Sequence, residues 1–255
     1  VVDKIPLVTI GYGRTDTSDG RVFPYAFPMI TNYWNQTTVI IKFMGQKLGG
    51  MDKLKGKKIA HVYHDSAFGK EPIPVLEDLA KKYGFELLLV PVPPPGVDQQ
   101  AQWLRVRQDK PDFVLLWAAG VMVPTAIKTA AKVGYPRDKV IGIHWSGSEE
   151  DVIPAGDAAK TYISATFSAT GSNYPIVQDV VKHVYKKNKG SLDDKSRIGT
   201  IYWNRGLIGG MVTVEAIRIA QEKYAKGKPV TGEQVRWALE HLKLDNARLK
   251  QLGAE

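Results

Sequence analysis

Four apolar runs constrain this chain more than any other feature. The run "KIAHVYH" begins its apolar core at Ile59, "FELLLVPV" at Phe85, "FVLLWAA" at Phe113 and "VIGIHW" at Val140, at offsets of 26, 28 and 27 residues. A strand with one wet face alternates apolar and polar residues, so continuous apolar runs of this length suit strands covered on both faces. Each interval has room for one helix, the spacing of consecutive βα units. A leucine-rich solenoid has a similar period, but its Leu-x-x-Leu-x-Leu signature is absent. The expected fold class is therefore α/β with parallel, doubly wound sheets.

The helical punctuation agrees. In "GKEPIPVLEDLAKKYG", Pro72 and Pro74 fall in a first turn, where a missing N–H costs little. Leu76, Leu79, Ala80 and Tyr83 then share a face, and Gly84 can end the helix. The segment "PTAIKTAAKVGYP" repeats the design, with Pro124 at the start, Ile127, Ala130 and Ala131 inward, and Gly134 and Pro136 at the stop. On the flanks, "IPLVTIGYG" (5–13) reads as another buried strand and "YISATFSA" (162–169) as a strand. Long helices are expected over "NYWNQTTVIIKFMGQKLGG", "YPIVQDVVKHVYKK" and "WNRGLIGGMVTVEAIRIAQEKY", and a further one opens at Thr231 with a Thr-x-x-Gln capping pattern.

Composition narrows function by exclusion. The 255 residues contain no cysteine, which removes disulfides, zinc–thiolate sites and thiol nucleophiles. Lys plus Arg is 35 against 26 Asp plus Glu, a net charge of +9. The densest basic runs, 53–58 and 182–189, fall in a loop and near a helix end, where cations complement the helix dipole and keep the surface wet. No nucleic-acid partner is expected from them. No apolar run approaches the ~20 residues of a membrane span.

In an open parallel sheet, ligands bind beyond the carboxyl ends of the strands. Here those ends carry "YHDSAFG", "WAAGVM" and "IHWSGSEE", and the flanking strand adds "IGYGRT", whereas the amino ends are plain. Trp117 and Trp145 alone could simply fill the core, but several aromatic groups at one edge favour a lined pocket. Enzyme motifs are weak. "GYGRTD" has Asp16 where a dinucleotide fingerprint needs a small residue, and His144 stands where a nucleophile elbow needs glycine. His64 beside Asp65 resembles half a triad, but neighbours in an extended segment point opposite ways. His64 and His144 lack an acidic ligand cluster, so no metal or cofactor is expected. Glu149, Glu150 and Asp151 suit a helix amino terminus.

The stretches "HVYHDSAFGKEPIPVLEDLAKKYGFELL", "PDFVLLWAA…AIKTAAKVGY" and "VTVEAIRIA" together resemble the type I periplasmic substrate-binding proteins of ABC importers, the branched-chain amino acid receptor (Leu/Ile/Val-binding protein-like) family. The resemblance covers essentially the whole chain. It implies two doubly wound parallel-sheet lobes closing over a ligand, with residues 1–27 and 168–255 in a partial lobe I and 28–167 in lobe II. The family's first βα units have no counterpart here, so lobe I is incomplete and the chain reads as a fragment.

The resemblance further implies an extracytoplasmic solute receptor, periplasmic or lipid-anchored in a Gram-positive source. It would be a monomer serving a membrane permease and binding a small carboxylate or amino acid without chemistry. The ligand-binding residues carried over are Tyr12, Gly13 and Arg14 in a lobe I loop, Phe68 as an aromatic against the ligand, Trp117, Ala119 and Gly120 at a strand end, and Tyr202. Amino-acid receptors of the family place an acid after the strand that here reads "IGIHW". This chain has His144, Trp145 and Ser146 there, with Glu149 further on. A buried ammonium needs a paired charge, so an aromatic or organic acid is expected over a free amino acid. The alternatives are a Rossmann-like enzyme using His64 or Ser146, and a cytoplasmic ligand-sensing domain of a transcription regulator.

Overall fold

The computed structural model describes residues 3–255. Its elements run β1 (Leu7–Thr9), β2 (Ala26–Pro28), α1 (Tyr33–Lys47), β3 (Lys58–His64), α2 (Ala67–Lys70), α3 (Ile73–Tyr83), β4 (Glu86–Val92), α4 (Gln100–Asp109), β5 (Phe113–Trp117), α5 (Met122–Lys132), β6 (Val140–Gly142), α6 (Glu149–Val152), β7 (Ile163–Ser164), α7 (Pro175–His183), α8 (Ile201–Ala220), α9 (Gly232–Glu240) and α10 (Asn246–Gln251). Contacts divide the chain into two compact units. Unit 1 comprises the residues up to Ile30 and from Ser168, and unit 2 is Thr31–Phe167.

Unit 2 is a five-stranded sheet in the order β4-β3-β5-β6-β7 with every pairing parallel. Its strands are apolar at successive positions because each face has its own cover. Ile59, Tyr63, Phe113, Leu115 and Trp117 pack under α1 and α3, against Ile41, Met44, Leu76 and Leu79. Ala60, Val62, Val114 and Leu116 face the other way, onto Trp103 of α4 and Met122, Ala126 and Ile127 of α5. Gly84 closes α3 in a left-handed conformation at φ 72°, which a side chain rarely adopts. Trp103 places its indole N–H on Gln99, whose own amide bonds the carbonyls of Gly96 and Met122, so the polar atoms of this buried pair are partnered.

Unit 1 holds a two-stranded parallel sheet, β1-β2, with the helices from α7 onward. Here the expected strand over 5–13 is corrected: only Leu7–Thr9 is extended in a ladder, and Ile5 and Leu7 are exposed rather than buried. A strand needs neighbours on both edges and layers on both faces to be buried, and among the described residues β1 has one neighbour, β2. The strand expected over 162–169 is likewise short, Ile163–Ser164 at the sheet edge beside β6. In α9 the Thr231 hydroxyl accepts from the Gln234 N–H and the Gln234 side chain accepts from the Thr231 N–H, the reciprocal cap that the sequence announces.

Candidate functional site

In unit 2 the carboxyl ends of β3, β5 and β6 bring rings into continuous contact. Tyr33, in the first turn of α1, meets Phe68 edge-on at 5.6 Å and Trp117 edge-on at 5.5 Å between ring centroids. Phe68 also lies 5.9 Å from Trp117. His144 stacks on Tyr33 at 6.2 Å and meets Trp145 at 4.9 Å and Phe167 at 5.3 Å. Edge and offset contacts of this kind suit the ring quadrupole and hold the set rigid.

Polar bonds orient these rings. Gln36 of α1 accepts from His144 Nδ1 at 2.6 Å, and Tyr33 Oη accepts from the Trp145 indole N–H at 3.2 Å. An amide oxygen only accepts, so His144 carries its proton on Nδ1. The Ser146 hydroxyl donates to the Ala118 carbonyl at 2.7 Å, and Tyr162 donates to the Ser146 carbonyl at 2.8 Å. Trp117, His144 and Ser146 are buried, Phe68 and Trp145 are half-buried, and Ala119 and Gly120 are exposed. Gln36, Tyr33 and Phe167 were not legible as partners: Gln36 and His144 lie 108 residues apart, and nothing local to α1 marks its inner face as polar.

Beneath α2, His61 donates from Nε2 to the Gly69 carbonyl at 2.9 Å. Its Nδ1 and the Trp117 Nε1 are buried with no protein hydrogen-bond partner. Burial, partly offset by the Gly69 bond, lowers the His61 pKa from 6.5 to about 4. The side chains named in the enzyme alternative have local partners. His64 Nδ1 bonds Ser66 Oγ at 2.8 Å, Asp65 pairs with Lys70 at 2.6 Å, and the Ser146 hydroxyl is engaged with Ala118. Glu149, Glu150 and Asp151 form the first turn of α6, as their charges suit.

In unit 1, Tyr12 is exposed, and its carbonyl accepts from the Thr9 hydroxyl at 2.8 Å. Gly13 is buried and Arg14 is exposed, with Arg14 Nε on Asp16 at 2.7 Å. Tyr202 is half-buried in the first turn of α8, with the Arg205 guanidinium 5.2 Å from its ring centre. The adjacent Asn204 amide donates to the carbonyls of Ala169, Gly171 and Gly199 at 3.0, 3.0 and 3.2 Å, pinning that loop to α8. Deeper along α8, both oxygens of Glu215 receive bidentate forks from Arg218 and Arg248 at 2.7–2.9 Å. Those bonds lower the Glu215 pKa from 4.5 to about 2. Among the described residues no group of three or more His, Cys, Asp or Glu could hold a metal ion.

A fully parallel sheet with rings gathered at the carboxyl ends of its strands makes this an α/β protein. The chain belongs to the periplasmic binding protein family, whose sequence profile matches residues 2–254. No curated protein matches it. Among solved structures it is similar to one from the Pseudomonas fluorescens group described as an ABC transporter permease, at 48% identity and TM-score 0.88, covering 99% of this chain and 60% of that one. A branched-chain amino acid ABC transporter protein from Thermus thermophilus, with bound valine, matches at 24% identity and TM-score 0.77, covering 92% and 58%. A Rhodopseudomonas palustris solute-binding protein in complex with benzoate matches at 17% identity and TM-score 0.72, covering 97% and 66%. The last two share the fold. The chain thus spans about three fifths of the first two structures, and its fold is a type I binding-protein fold with one lobe incomplete.

Proposed function

We propose that this chain is the ligand-receiving part of an extracytoplasmic solute receptor of an ABC importer, and that it binds a small aromatic carboxylate without transforming it. The observation that carries the reading is the ring set at the carboxyl edge of unit 2. In it, Phe68 and Trp145 are half-buried, Ala119 and Gly120 are exposed, and Trp117, His144 and Ser146 are buried, with Phe68 against Trp117 and Trp145 against His144. Aromatic stacking contributes roughly 0.5–1.5 kcal/mol per favourable pair. In unit 1 the proposed contributors are Tyr12, the backbone of Gly13 and Arg14, and the ring of Tyr202. Arg14 already compensates Asp16, so backbone N–H groups are the favoured carboxylate donors. The loop His144–Ser146 supplies imidazole, indole and hydroxyl and no ammonium-binding acid.

The relatives with valine and with benzoate mark the two ligand chemistries to separate. The test is calorimetry and tryptophan fluorescence on this chain with benzoate, hydroxycinnamate, leucine and valine. The aromatic acids are expected to bind, and Phe68→Ala to weaken them up to about tenfold. Leucine binding that disappears in Glu149→Gln, with no response to either aromatic acid, would overturn the ligand class.

A further inference from the structure

We propose that His61 is a positioning residue for the ring wall of unit 2: it ties the one-turn helix α2 to β3 from beneath and so sets the Phe68 ring against Trp117. The proposal rests on the function given above for its ligand, and not for its geometry. The first observation is where this histidine stands. His61 is fully buried within β3, paired with Leu89 on one side and Leu115 on the other. Ile59 and Tyr63, on the same face of the strand, are buried as well. An aliphatic side chain suits such a position, and a buried polar ring is destabilising unless its hydrogen bonds are made. The bond that His61 makes runs from Nε2 to the Gly69 carbonyl at 2.9 Å, and Nδ1 is left without a protein partner. A carbonyl only accepts, so the imidazole proton sits on Nε2. What the imidazole supplies here, and an aliphatic residue could not, is that one bond to α2.

The second observation is how weakly α2 is held otherwise. Ala67–Lys70 is a single turn, far below the length at which a helix persists unaided, and Ser66 makes no side-chain cap for it. The ion pair of Lys70 with Asp65 lies at the exposed margin, where screening leaves it weak. The Trp34 indole bonds the carbonyl of Glu71, past the end of the turn. Gly69 packs directly on the end of β3, since an added Cβ would stand 1.9 Å from the His64 carbonyl oxygen. His61 and His64 thus grip the same glycine, one by a hydrogen bond and one by contact. Phe68 is its chain neighbour, with its ring 5.9 Å from Trp117 and 5.6 Å from Tyr33. His61 also meets Trp117 edge-on at 5.9 Å, so the imidazole touches both the turn that carries Phe68 and the ring that Phe68 meets. Release of Gly69 lets Phe68 turn away, while Trp117 and Tyr33 stay on β5 and α1.

The test begins on the unsubstituted chain without ligand. Nitrogen NMR at neutral pH is expected to show His61 as the neutral Nε2–H tautomer. A proton on Nδ1 alone would overturn the proposal, because nothing would then donate to Gly69. His61→Leu is expected to lose the through-space NMR cross-peaks between the Phe68 and Trp117 rings. His61→Gln is expected to keep them, since its amide restores an N–H donor. Benzoate calorimetry is the second readout. His61→Leu should weaken binding by no more than Phe68→Ala does, up to about tenfold. His61→Gln should recover most of that loss. The double variant His61→Leu with Phe68→Ala should bind no worse than Phe68→Ala alone, because the one residue acts through the other. Ring cross-peaks intact in His61→Leu, equal losses in the leucine and glutamine variants, or additive losses in the double variant would each overturn the proposal. Failure of the unsubstituted chain to bind benzoate would count against the ligand class and not against His61, whose tautomer and ring contacts are read without ligand.

Discussion

Glu215 shows how much one buried carboxylate can govern. It is 4% exposed, and both its oxygens are held by guanidinium forks. Glu215→Gln removes the charge and leaves Arg218 and Arg248 facing each other. Because both arginines retain water contact, the expected loss is about 2 kcal/mol at pH 7, below the range for a fully buried pair. The pH dependence has a fixed sign. The folded-state pKa is depressed from 4.5 to about 2, so the contribution is full above 4.5 and disappears as pH falls through about 2. Urea melts of the two proteins should therefore differ at pH 7 and converge near pH 2.

At the level of elements, the short helix α2 is held by a contact that only glycine permits. A Cβ on Gly69 would sit 1.9 Å from the His64 carbonyl oxygen, against main chain that cannot yield without moving β3 or α2. Gly69→Ala is expected to cost about 2 kcal/mol and to displace Phe68 from Trp117. Thermal melts would record the first effect and tryptophan emission the second. The same elements show what a sequence can and cannot announce. Gly84 and the Thr231–Gln234 cap are local devices, readable because their partners lie within a few residues. The four middle strands were readable because a two-faced cover leaves a continuous apolar run. The same run at 5–10 misled: periodicity records the sheet a segment suits, not whether its neighbours are present. The ring set was half legible. Its strand-end members announce themselves, whereas Tyr33 and Gln36 reach it from α1, through tertiary placement that no spacing encodes.

Across the whole molecule, the two units answer acid differently. In unit 2, His61 is buried neutral, with a pKa lowered from 6.5 to about 4. The unfolded chain binds the proton more readily, so stability is full above 6.5 and declines as pH falls towards 4, by about 3 kcal/mol in all. In unit 1 the decline from Glu215 begins only below 4.5. Acid unfolding followed by hydrogen exchange should therefore open unit 2 first, and His61→Phe should remove most of its pH dependence between 6.5 and 4. Simultaneous opening of both units at every pH would show that His61 does not set this order. The division of the chain also has a consequence for its synthesis. Unit 2 is one uninterrupted segment, Thr31–Phe167, whereas unit 1 needs residues from both sides of it. At ribosomal speeds of about 5–20 residues per second, the segment carrying Ile5, Leu7 and Ile10 emerges on the order of ten seconds before α8 exists to receive it. Unit 2 can fold as it leaves the ribosome, whereas unit 1 cannot close until α8 has followed it out.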